Sequence, residues 1–189
     1  MMKILFLVCS ISLLCLCSYK HPSLSNPPKW TTISEPTVIK LVDSKNAVTI
    51  ECTKSGNKWV VTNTAQAAAY LKAVAEKTFK VSNLSTVQNM EVDFDSLYTI
   101  GALVGMGSWE NGPNFPIGIQ YERTTNPPGY PAGLVTMGAS EIHSCTGAPC
   151  ECCDFLKDKG KINGCQCVEK HLCIKQSGDR CNHTVTTAQ

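Results

Sequence analysis

Between His143 and His183 the chain carries eight cysteines: Cys145, Cys150, Cys152, Cys153, Cys165, Cys167, Cys173 and Cys181. Large apolar side chains are few from position 141 onward, essentially Ile142, Phe155, Leu156, Ile162, Val168, Leu172, Ile174 and Val185. A segment this short, with so little to bury, needs covalent or metal staples in place of an ordinary core. The six acidic and six basic residues from Glu141 onward cancel, so charge adds no specificity to the segment.

Which staple forms depends on the compartment, and the start of the chain speaks to that. Met1, Met2 and Lys3 precede an uncharged apolar run, Ile4 to Leu16. A membrane-spanning helix needs about 20 apolar residues and a signal-peptide core only about 7 to 15, so residues 1–17 are expected to be an export signal. A lipid anchor at Cys17 is the competing reading, although Leu16 is bulky for that processing. No second run reaches spanning length, so the mature chain is expected to lack a transmembrane helix and to be secreted or otherwise extracytoplasmic, periplasmic or at the cell surface in a bacterium.

Outside the cytosol an even set of eight thiols points to disulfides. Connectivity is not legible, but Cys152 and Cys153 are neighbours, with Cα atoms about 3.8 Å apart, and so should take different partners. Turn signals at Asp158-Lys159-Gly160 and Asn163-Gly164 would fold Cys165 and Cys167 back as a cross-linked hairpin. The competing chemistry is a soft metal, Cu or Zn. Cys150/Cys152 and Cys165/Cys167 are Cys-x-Cys pairs whose side chains share a strand face, and His143 and His171 could add nitrogen ligands. Redox-active thiols are a third reading. Cys52, away from the cluster, is expected to be a buried free thiol.

The rest of the chain has ordinary composition, 43% hydrophobic with a net charge of +2 from 17 basic and 15 acidic residues. That balance gives no field for nucleic acid. Residues 18–36, rich in Pro and Ser, read as a spacer. Thr37–Asp43, Ala47–Thr53 and Lys58–Asn63 read as a three-stranded meander, with Val48, Ile50 and Cys52 on one face of the middle strand. Asn63 is placed to cap an amphipathic helix carrying Ala67, Tyr70, Leu71, Val74, Ala75 and Phe79 on one face. Met90 to Phe94 and Ile100 to Gly107 alternate as strands. Ser108 to Gly133, with five prolines, reads as a long loop around a short strand, Ile117–Tyr121, and its aromatics Trp109, Phe115, Tyr121 and Tyr130 are candidate contacts for a protein or carbohydrate ligand.

The expectation is therefore an α+β domain over residues 37–140, short antiparallel strands packed with one main amphipathic helix. A separate disulfide-stapled Cys-rich module at 141–183 and a polar tail at 184–189 follow. No Gly-x-Ser-x-Gly, His-Glu-x-x-His, dinucleotide-binding glycine fingerprint or phosphate-binding loop is present. The functional expectation is an exported, non-catalytic binding or cell-envelope module, with extracytoplasmic metal binding as the alternative.

Overall fold

A computed structural model of the protein describes residues 35–109, 114–124, 133–147, 150, 152–169 and 176–188. The expected signal segment, Cys17, most of the spacer, Tyr130, His171 and Cys173 lie outside the described residues.

The first strands follow the pattern of their side chains. β1 (Val38–Asp43), β2 (Val48–Ser55) and β3 (Lys58–Val61) form an antiparallel meander in which Ile39 faces Cys52 and Leu41 faces Ile50, all four buried. Helix α1 (Thr64–Phe79) begins where Asn63 Oδ1 accepts the Gln66 amide at 3.2 Å. It ends where Lys80 turns left-handed at φ 53°. Its apolar stripe, Ala67, Leu71, Val74 and Ala75, is buried against the sheet.

Beyond the helix most of the described residues are strand: β4 (Gln88–Phe94), β5 (Ile100–Ser108), β6 (Asn114–Arg123), β7 (Leu134–Gly147), β8 (Cys153–Asp158), β9 (Lys161–Cys167) and β10 (Cys181–Thr187). The main sheet runs β3-β2-β1-β7-β6-β5-β4, with β1 parallel to β7 and the other neighbours antiparallel. Its two edges approach each other through the Trp59 ring, set edge-on against Phe94 at 5.5 Å and Tyr98 at 5.9 Å between centroids. The result is a nearly closed mixed-sheet barrel carrying one helix.

This overturns the α+β expectation. The helix is present, but it is an accessory to a β architecture that the sequence pattern hides. β6 contains Pro116 and Gly118, and β7 contains Gly138, Ala139 and Ser140, so neither shows the Val/Ile-rich alternation by which strands are recognised. Pro116 is tolerated because the ladder to β7 starts only at Ile117, so no β7 carbonyl is left without a donor at that point. The short strand expected at Ile117–Tyr121 is thus a ten-residue strand, Asn114–Arg123, buried from Phe115 to Tyr121.

β7 organises the C-terminal half. Its first part, Leu134 to Gly138, pairs with β1, and its second part, Glu141 to Gly147, pairs with β10, which takes up the same edge where β1 leaves off. The boundary expected between residues 140 and 141 falls inside this strand, and residues 34–189 make one compact unit.

Both faces of the sheet around β5–β7 are buried. On the inner face Leu103, Ile117, Ile119, Tyr121 and Met137 meet the helix and the meander. There the Tyr70 hydroxyl donates to Asp43 Oδ2 at 2.6 Å, giving a buried carboxylate a partner. On the outer face Ala102, Val104 and Cys145 are covered by the β8–β9 hairpin through Phe155 and Ile162. Gly118 permits that approach, since a Cβ there would lie 2.6 Å from Ile162 Cδ1.

Candidate functional site

The hairpin is where the cysteines gather. β8 and β9 pair antiparallel around a turn at Lys159–Gly160, both with positive φ, whereas Asn163-Gly164 lies within β9 and makes no turn. Three disulfides fasten the hairpin: Cys145–Cys165 ties β9 to β7, Cys153–Cys181 ties β8 to β10, and Cys150–Cys167 ties β9 to the segment leaving β7. Cys152 is disulfide-bonded too, and its neighbour Cys153 takes a different partner. Cys153 and Cys167 face each other across the hairpin but are each bonded elsewhere.

Strand alternation explains why bridges form here. His143 and Cys145 share one face of β7, and Cys181 and His183 share the face of β10 that meets it, with His183 opposite Cys145 in register. Both pairs point under the hairpin. The sulfur atoms of Cys150, Cys153 and Cys181 lie within 4.8 Å of one another, so two disulfides are packed side by side.

Next to them sits a histidine pair. His143 Nδ1 and His183 Nε2 are 3.0 Å apart, with ring planes 13° apart and centroids separated by 5.2 Å. A short nitrogen contact combined with so wide a centroid separation is an edge-to-edge hydrogen bond, one ring donating and the other accepting, and not a face-to-face stack. The Phe155 ring closes one side of His183. His143 is 1% exposed, and its Nε2 lies 3.3 Å from Glu141 Oε2 without the alignment of a hydrogen bond. A second buried polar group, Gln120 on β6, accepts the Ile162 amide at 3.2 Å and so fixes the hairpin from below.

Burial, then proximity to His183, lowers the His143 pKa to about 4, and burial lowers that of His183 as well. Between the ordinary value of 6.5 and about 4 the unfolded chain therefore binds more protons than the folded chain. The pair's contribution is complete above pH 6.5 and is lost as pH falls through 4. In urea unfolding at stepped pH, His143→Gln should flatten the decline of stability between those values, and a decline identical to wild type would show that the pair does not titrate in this way.

The other candidate residues are placed differently from the sequence expectation. Phe115 and Tyr121 are each 1% exposed and belong to the inner core, and Trp109 packs edge-on against Phe115 at 5.0 Å. The Phe115 and Tyr121 rings hold β6 to the core, and Trp109 is half-buried beside them. Of the proposed metal ligands, Cys150, Cys165 and Cys167 have their sulfurs in disulfides with other cysteines, as does Cys152, and His143 faces His183. Cys52 is a free, buried thiol whose pKa burial, with the charge of Glu51, pushes up to about 12, leaving it unreactive at neutral pH. His183, Glu141 and Gln120 were not legible as a group, because their convergence depends on β10 pairing with β7 across some 40 residues of chain.

Two grooves flank the hairpin. One, of about 260 Å³, lies between β8 and the β4–β6 surface and is lined by Gln88, Met106, Asn114 and Asp154 among others. The other, of about 510 Å³, follows the seam between β3 and β4 and is lined by Trp59, Val60, Met90 and Val92. They meet at Lys157, whose ammonium donates to Glu91 Oε2 at 2.5 Å.

Compared with family models, with curated proteins and with solved structures, the chain gives no match to any.

Proposed function

We propose that the protein works outside the cytosol as a non-catalytic binding or envelope module whose surface is held rigid by disulfides. The observation that carries this reading is the convergence of three disulfides on one small hairpin. Such a set persists in an oxidising compartment and is rare where glutathione and thioredoxin keep thiols reduced. Its agreement with the apolar N-terminal run, an independent feature of the sequence, adds support. Among the described residues, no helix is long and apolar enough to cross a membrane.

The two grooves beside the hairpin are the ligand seats in this reading. Their linings mix amide, carboxylate, ammonium and apolar groups, which suits a polar chain such as a peptide or a carbohydrate. Thiol trapping of the protein recovered from the cells that make it tests the proposal. Export predicts that the tail cysteines resist alkylation and that Cys52 reacts only after denaturation. Recovery from the cytosol with the tail thiols fully alkylated would refute it.

A further inference from the structure

We propose that Cys150, Cys153, Cys167 and Cys181 become a tetrathiolate site for Zn(II) when the two disulfides joining them are reduced. The geometry points to these four and not to the Cys-x-Cys pairs. Three of the sulfurs already lie within 4.8 Å of one another, and the fourth, that of Cys167, is bonded to Cys150. Zn–S bonds of about 2.3 Å in a tetrahedron place sulfurs roughly 3.8 Å apart, so the site closes by small rotations about side-chain bonds once the S–S bonds are gone.

The framework that holds these sulfurs does not depend on their two bridges. Cys153 and Cys167 are opposite each other in the β8–β9 ladder, and Cys181 is positioned by the β10–β7 ladder. Phe155 and Ile162 cover the outer face of the sheet without help from any bridge. Cys150 and Cys153 are buried, whereas Cys167 and Cys181 are half-exposed, which gives a reductant and the ion a side from which to enter.

In the chemistry, each disulfide accepts two electrons and two protons from a dithiol reductant, which leaves as its own disulfide. Two such exchanges give four thiols. Zn(II) then displaces the four thiol protons and binds four thiolates, with no change in the oxidation state of the metal. Oxidation back to the two disulfides by a disulfide oxidant would release the ion, so one set of sulfurs would have a locked state and a metal-loaded state.

The test uses the full chain, a phosphine reductant and zinc alone, with bound metal counted after the excess is removed. Reduced wild type should hold one zinc per chain and the oxidised protein none. Cys145→Ala/Cys165→Ala, which removes a bridge outside the cluster, should keep the ion, and Cys153→Ser/Cys181→Ser should lose it. Cobalt in place of zinc should give the visible absorption of tetrahedral thiolate coordination in reduced wild type and reduced Cys145→Ala/Cys165→Ala only. No uptake by reduced wild type would overturn the proposal, and so would equal retention or equal loss in the two variants. Zinc uptake is read on reduced protein and compartment on trapped native protein, so either reading can fail without the other.

Discussion

Cys153→Ala/Cys181→Ala should lower the free energy of unfolding by about 3 to 4 kcal/mol. The bridge closes a span of 28 residues and connects β8 to the last strand of the sheet. Without it the unfolded chain regains loop freedom that the intact bridge removes, and the loss of stability follows mainly from that gain. The native state changes less, because Phe155 and Ile162 still pack on Val104 and Gly118, and β10 keeps its ladder to β7. Equilibrium urea unfolding of wild type and variant under non-reducing conditions measures the difference. A change below about 1 kcal/mol would mean that the unfolded chain is already restricted to the same degree by the other bridges.

Gly160→Ala should cost about 3 kcal/mol, although it adds a single methyl group. Gly160 sits at the tip of the hairpin with φ +75°, which an L side chain rarely adopts. Its missing Cβ would lie 2.7 Å from the Ile100 carbonyl oxygen, 2.9 Å from the Asp95 nitrogen and 2.9 Å from Phe94 Cα. All three are backbone atoms where β4 ends and β5 begins, so none can swing aside, and the tip must lift instead. Lifting also breaks the hydrogen bond from the Gly160 amide to Asp93 Oδ2 at 3.1 Å. Gly56 supplies the control: it has a similar φ of +61° with nothing within 4 Å of a Cβ, so Gly56→Ala should cost only about 1 to 2 kcal/mol. Equal effects of the two substitutions would show that the tip does not dock on the barrel.

These two effects arise from contacts of unequal visibility in the sequence. The hairpin and its Asp158-Lys159-Gly160 turn can be read from local chemistry, as can the Asn63 cap, the face of α1 and the alternation that buries Ile50 and Cys52. What could not be read is long-range pairing. The α+β expectation fails because β6 and β7 have too little periodic apolar character to announce themselves, yet β7 alone joins β1, β6 and β10. Phe115 looks like a loop aromatic and Tyr121 like the end of a short strand until the strand around them is known to be an interior one. The histidine pair is hidden for the same reason, since His143 meets His183 only through the register of β10 on β7. Local rules therefore located the cysteines and their turn, whereas topology decided which sulfur meets which.

A specific set of bridges locks the C-terminal hairpin onto the β-barrel. Peptide mapping of the non-reduced protein, digested at low pH to prevent exchange, tests it most directly. Cys145 should be found linked to Cys165, Cys150 to Cys167 and Cys153 to Cys181, with Cys52 recovered as a thiol. Finding Cys153 linked to Cys167 within the hairpin, or Cys52 joined to a tail cysteine, would contradict it.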